Sequence, residues 1–144
     1  MNESYRSIYQ IARNNAGFTQ LQASELLHIS VRALGNYESG DVVLHGDIVA
    51  DMIKIYKANW LGYEHLRLSS KLGEQVLPPI NVNDLAQSVL SLQKESTDVE
   101  NIKPSMIEIA SNSRVDDHEA ETWEQVIKEV FEMAGAALSV VFSK

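Results

Sequence analysis

Apolar positions recur at helical spacing along most of the chain, and in the first seventy residues they come in short groups. Tyr5, Ile8, Tyr9 and Ala12 share one face of a helix that Ser4 can cap and Gly17 ends. Thr19 can cap a second helix running to Leu27. Ser30 can cap a third, from Val31 to Ser39, which Gly40 stops. After the loop DVVLHG, Asp47 can cap a fourth helix, with Ile48, Met52, Ile55 and Tyr56 at helical spacing. A short fifth helix runs through WLGYEHL to Ser69 and Ser70.

The pattern breaks at residues 71–83, KLGEQVLPPINVN, where Pro78 and Pro79 disfavour a continuous helix. The expectation is an extended connector between two domains, packed down through Leu77 and Ile80. Three helices are predicted beyond it. Asp84 to Lys94 carries Leu85, Val89 and Leu92 on one face. KESTDVENIK reads as a polar loop. Pro104 suits the first position of a short helix to about residue 112, with Met106, Ile107, Ile109 and Ala110. Asp116 followed three residues later by Glu119 resembles a capping box, and starts a last helix over about 117–142. The expected class is therefore all-α, with five helices in 1–70 and three in 84–144.

The last helix has a second periodicity. Trp123, Ile127, Val130, Ala134, Ala137 and Val141 step by four and three, a heptad seam, which Val126, Phe131, Met133, Leu138 and Val140 widen. About sixty residues seldom bury so much apolar surface alone. The expectation is oligomerisation through residues 84–144, giving at least a homodimer. A closed three-helix domain is the alternative.

Charge divides the chain in the same place. Residues 1–70 hold six Lys/Arg and seven Asp/Glu, a net of -1. Residues 71–144 hold six and thirteen, a net of -7, which completes the total of -8. An anionic partner is therefore expected to meet the first half, because the second would repel it. Hydrophobic residues at 44% make a core possible. The absence of cysteine removes thiolate and disulfide chemistry and fits a cytoplasmic protein. The first ten residues hold no apolar signal-peptide core, and no run of about 18 apolar residues offers a membrane span.

Two helices joined by a tight turn are the parts of a reader of the DNA major groove. The groove admits one helix, and a second must cross behind it. The crossing needs a small residue in the first helix, here Ser24. It also needs an apolar residue after the turn, Ile29, and apolar residues inside the second helix, Leu34 and Tyr37.

The segment GFTQLQASELLHISVRALGNYESG resembles the phage-repressor (Xre-type) helix-turn-helix family. The shared features are Thr-Gln, a Glu-Leu-Leu ending to the first helix, Ile-Ser after the turn, and Tyr-Glu-Ser-Gly at the end. The resemblance covers roughly residues 4–68 and implies a five-helix, lambda-repressor-like domain that binds double-stranded DNA. It departs from the family at the turn, where His28 stands for the common Gly, and at Ser24, which stands for Ala. Gly35 inside the second helix costs about 1 kcal/mol against Ala.

The resemblance further implies that Val31, Arg32, Ala33 and Asn36, with Ser30 at the cap, form the DNA-reading face. Arg32 would pair with guanine, Asn36 with adenine, and Val31 or Ala33 would meet a thymine methyl. It also implies that Gln20 contacts phosphate and that Arg13 and Glu38 form an ion pair tying the first helix to the third. His45, Lys54 and Lys57 are further candidates for phosphate contact. The LGYEHLR segment, the Leu-Pro-Pro connector and the terminal helices resemble phage CII-type regulators. That similarity implies an oligomeric transcription factor with RNA polymerase or a phage protein among its partners.

Other chemistry finds little footing. Asp116, Asp117 and His118 match no metal-ligand spacing and read better as a cap. No nucleophile–base set or phosphate loop stands out. No enzyme, cofactor or metal is expected. The competing functional reading is a protein-interaction regulator, antitoxin-like or anti-repressor-like, whose C-terminal helices bind a protein partner.

Overall fold

The computed structural model describes residues 3–82 and 84–143, with side chains from Ile8 onward. The cap expected at Ser4 and the inward face of Tyr5 lie outside the described side chains. The protein is all-α, with eight α-helices and no strand among the described residues. Its internal contacts divide it into two compact units, Met1–Leu77 and Pro78–Lys144.

The first unit contains α1 (Glu3–Asn15), α2 (Gln20–Leu26), α3 (Val31–Ser39), α4 (Gly46–Tyr56), α5 (Asn59–Leu68) and α6 (Lys71–Val76). Its short helices are kept short by a repeated device. Gly17, His28, Gly40 and Lys57, which follow α1 to α4, all have φ between 53° and 79°. The left-handed residue turns the chain back so that the next N–H reaches a carbonyl five residues earlier. Phe18 N–H bonds Arg13 O at 3.3 Å, Ile29 N–H bonds Ser24 O at 3.0 Å, and Asp41 N–H bonds Asn36 O at 3.1 Å.

The helices then close over Tyr9, Leu34, Met52 and Leu61, one from each of α1, α3, α4 and α5 and all fully buried. Burial of each such side chain is worth roughly 1.5–3 kcal/mol. Tyr9 also bonds His65 Nδ1 through its hydroxyl at 2.7 Å, joining α1 to α5.

Two expectations fail in this unit. The residue before α4 is His45, not Asp47, and it makes no side-chain cap bond. Asp47 sits inside the first turn, where its charge still complements the helix dipole. Residues 71–76 are not extended but form α6, capped by Ser70, whose Oγ accepts from Gly73 N–H at 3.0 Å. Gly73 explains the tight corner. A Cβ there would stand 2.3 Å from Leu66 O and 2.5 Å from Arg67 O. The two prolines act only from residue 78.

In the second unit, residues 78–82 run without helix along α8 (Ala120–Phe142). The approach is close. A Cβ on Gly135 would lie 2.6 Å from Pro79 O. Asn81 N–H donates to Ser139 Oγ at 3.0 Å, and that hydroxyl donates to Gly135 O at 2.8 Å.

The two helices expected at 84–94 and 104–112 are one continuous helix, α7 (Leu85–Ala110), with Pro104 inside it and Asp84 capping it through Gln87 N–H at 2.9 Å. A proline inside a helix costs about 3 kcal/mol. Packing outweighs it here, because Ser88, Leu92, Glu95, Val99, Ile102, Met106 and Ile109 step by four and three along the whole helix. All seven are half-buried or buried. KESTDVENIK is therefore a helical segment whose Val99 and Ile102 continue the seam.

The capping box at Asp116 and Glu119 forms as expected, but it starts a single 3₁₀ turn, Asp117–Glu119, and α8 follows from Ala120. Two long helices and a turn thus stand where three helices were expected. No helix among the described residues is long and apolar enough to cross a membrane.

Candidate nucleic-acid interface

α2 and α3 are joined by a turn whose parts each have a physical role. Thr19 caps α2 in a capping box with Gln22, leaving the helix start exposed. His28 takes φ 55°, a conformation for which the short-range alternative is glycine. Ser24 is 2% exposed and donates its hydroxyl to Leu21 O at 2.8 Å, so a polar residue is buried with its donor satisfied. Ser30 caps α3 by accepting from Ala33 N–H at 3.0 Å. Along α3, Leu34 is fully buried and Glu38 is buried, while Ile29 and Tyr37 are half-buried.

The residues singled out above stand at the N-terminal end of α3 and, for Arg32 and Asn36, on the side away from Leu34. Val31 and Arg32 are exposed, and Ala33 and Asn36 are half-buried. Arg32 has no ion-pair partner among the described residues, so its five N–H donors are available. A Cβ on Gly35 would meet nothing within 4 Å. Nothing among the described residues therefore requires glycine at that position.

Behind this face lies a buried polar cluster. Arg13 Nε donates to Glu38 Oε1 at 2.6 Å and Arg13 Nη2 to Glu38 Oε2 at 3.0 Å, and both side chains are more than nine-tenths buried. Arg13 Nη1 donates to Phe18 O at 2.8 Å. The hydrogen bonds to Glu38 raise the Arg13 pKa above its ordinary value and keep it charged. The ion pair expected from the family resemblance is thus present.

Gln20, the first residue of α2, joins the same carboxylate. Its Nε2 donates to Glu38 Oε2 at 2.9 Å. Eighteen residues separate the two, and no sequence signal marks this contact. Of the other phosphate candidates, Lys54 faces Asp51 at 3.8 Å and His45 faces Asp47 at 3.3 Å, both on the surface, and Lys57 holds the exposed left-handed position after α4.

The seam on α8 is placed differently from α8's packed face. The helix turns Val126, Met133, Ala136 and Val140 toward the protein. Ile127, Val130, Ala134 and Val141 are exposed, and Trp123 and Ala137 are half-buried. Ile127 is 53% exposed and Val141 69%, so the predicted seam lies one residue, about 100° of helix rotation, off the buried face. Leu85, Val89, Leu90 and Ile107 are exposed on α7.

Carboxylate oxygens of Glu95, Glu129 and Glu132 come within 4.8 Å of one another. Lys94 Nζ meets Glu95 Oε1 at 3.0 Å. Such a trio alone identifies no ion. Asp116, Asp117 and His118 do not gather, since Asp116 serves as cap and pairs with Arg114 at 2.8 Å.

No protein-family model, no curated protein and no solved structure matches this chain.

Proposed function

We propose that the chain is a sequence-specific DNA-binding transcriptional regulator of the phage-repressor type, acting in the cytoplasm as a homo-oligomer on repeated half-sites. One observation carries the reading. α3 begins at a capped end where Val31 and Arg32 are exposed, Ala33 and Asn36 are half-buried and Arg32 is unpaired among the described residues, while Leu34 and Glu38 are buried.

Such a helix offers the major groove a bidentate donor for guanine, an amide for adenine and methyl contacts for thymine. The first half of the chain has a net charge near neutral, so few counterions are released per domain and single-domain affinity is small. Linked copies raise the effective concentration at adjoining half-sites. The exposed face of α8, with Ile127, Val130, Ala134 and Val141, supplies the means of linking.

The same exposed face and the acidic charge of residues 71–144 also suit a different protein partner, RNA polymerase or a phage protein among them. In an antitoxin-like or anti-repressor-like role, that contact would be primary.

The test is DNA binding by the full chain and by Arg32→Ala and Asn36→Ala. Each variant should keep its helicity and lose discrimination between a selected site and random DNA. Each bidentate pair is worth about 1–3 kcal/mol of discrimination. Variants that discriminate as well as the parent would refute the assignment of α3.

A further inference from the structure

α7 places two polar groups on the seam it packs against α8. Leu92, Val99, Ile102, Met106 and Ile109 make that seam apolar, but its first and third positions are Ser88 and Glu95. Ser88 is 1% exposed, and its Oγ has no hydrogen-bond partner among the described residues. Glu95 Oε1 accepts from Lys94 Nζ at 3.0 Å, yet its Oε2 is buried and has no partner among the described residues. A buried polar atom without a partner is destabilising, the more so when it carries charge.

Both residues line one cleft of about 620 Å³ inside the second unit, between α7, α8 and the non-helical residues 78–81. The volume is that of a small-molecule site. Small residues on α8, Gly135 and Ala136, leave the room. Pro78, Pro79 and Phe131 add apolar wall, and Glu132 adds a second carboxylate. Glu129 brings a third within 4.8 Å of the other two. The lysines do not balance them, because Lys94 is shared with Asp98 at 3.1 Å and Lys128 stands 3.9 Å from Glu132. One end of the cleft is net negative.

We infer that this cleft binds a short organic cation, with its ammonium head between Glu95 and Glu132, its aliphatic stem along Pro78, Pro79 and Phe131, and a hydroxyl or carbonyl end at Ser88. The inference is independent of the DNA-binding reading. Spacing sets the length. Residues seven apart on a helix stand about 10.5 Å apart along its axis, and a hydrogen bond at each end takes up about 2.9 Å. The ligand's two polar ends are then about 5 Å apart, the span of roughly three or four carbons. A bare metal ion meets only half of the site. Its ligands must come within about 2.6 Å, so an ion held by the carboxylates leaves Ser88 out of reach and still unpartnered. An anion is repelled from the acidic end.

The probe is a linear amino alcohol of four carbons, with terminal ammonium and terminal hydroxyl. It is titrated into the full chain by calorimetry and followed by thermal unfolding. Binding should saturate and raise the melting temperature with probe concentration. The four-carbon alcohol without the ammonium and the four-carbon hydroxy acid should do neither. Glu95→Gln should weaken binding about tenfold, as for a lost hydrogen bond between charged groups, and Ser88→Ala about threefold. Ser88→Ala should melt no lower than the parent, because it removes an orphaned hydroxyl, so its weaker binding reports ligand contact and not folding. Should Glu95→Gln fail to fold, Glu132→Gln at the exposed rim takes its place, with the same direction expected.

Absence of saturable binding, equal binding of the plain alcohol, or parent-like affinity in either cleft variant would overturn the inference. Magnesium or calcium ions that bind more tightly than the amino alcohol, and equally well to Ser88→Ala, would overturn it in favour of a metal site.

Discussion

Arg13 and Glu38 meet through two charge-assisted hydrogen bonds, 2.6 and 3.0 Å, across α1 and α3, with both side chains removed from water. Twenty-five residues apart in sequence, they fix the orientation of the helix proposed to read DNA. Removing either partner leaves an uncompensated buried charge, which typically costs 3–5 kcal/mol. Glu38→Ala and Arg13→Ala should each lower stability by about that amount in urea unfolding. Arg13→Met with Glu38→Leu should recover most of the loss, because no charge is then stranded. A double variant as unstable as either single would show that the pair itself, rather than the stranded charge, carries the stability.

Tyr56 gives a pH dependence. It is 2% exposed, its hydroxyl has no hydrogen-bond partner among the described residues, and burial raises its pKa to about 12. The unfolded value is about 10. A raised pKa means that the folded state holds the proton longer. Its contribution to stability is complete below about pH 10 and is lost as pH rises towards 12. Tyr56→Phe removes both the unsatisfied hydroxyl and this titration. The variant should be at least as stable at neutral pH and should lose less stability than the parent between those limits. Unfolding midpoints measured across alkaline pH check both.

Gly35 faces open space within the chain. Gly35→Ala should therefore stabilise α3 by up to about 1 kcal/mol. If close backbone approach to DNA is the reason for glycine, the same change should weaken binding while raising the melting temperature. Thermal unfolding and DNA titration on one variant separate the two effects.

The exposed strip of α8 makes the oligomer claim testable. Light scattering on the full chain should give a dimer or larger species at micromolar concentration. Ile127→Glu with Val130→Glu should give a monomer with unchanged helicity, because Ile127 is 53% exposed and Val130 38%. A parent chain that is monomeric at that concentration contradicts the claim.

The first five helices were legible because their stops are local. Gly17, Gly40 and the caps at Thr19 and Ser30 act within a few residues, and each forms. α6 was hidden because Gly73 and the two prolines look like breakers, yet Gly73 only relieves a clash at the corner with α5. Pro104 and a polar run mask α7 in the sequence, although the spacing of Leu92, Val99, Ile102, Met106 and Ile109 continues unbroken through both. The residues singled out on α3 come from the family resemblance; of them Val31 and Arg32 are exposed and Ala33 and Asn36 half-buried. The bond from Gln20 to Glu38 was not legible, since it depends on how three helices meet.

Selection of bound fragments from a random DNA pool by the full-length chain tests the central claim most directly. The account predicts enrichment of repeated half-sites at fixed spacing and orientation, lost when Arg32 is changed to Ala. A pool that stays unenriched after repeated rounds at low salt would contradict it.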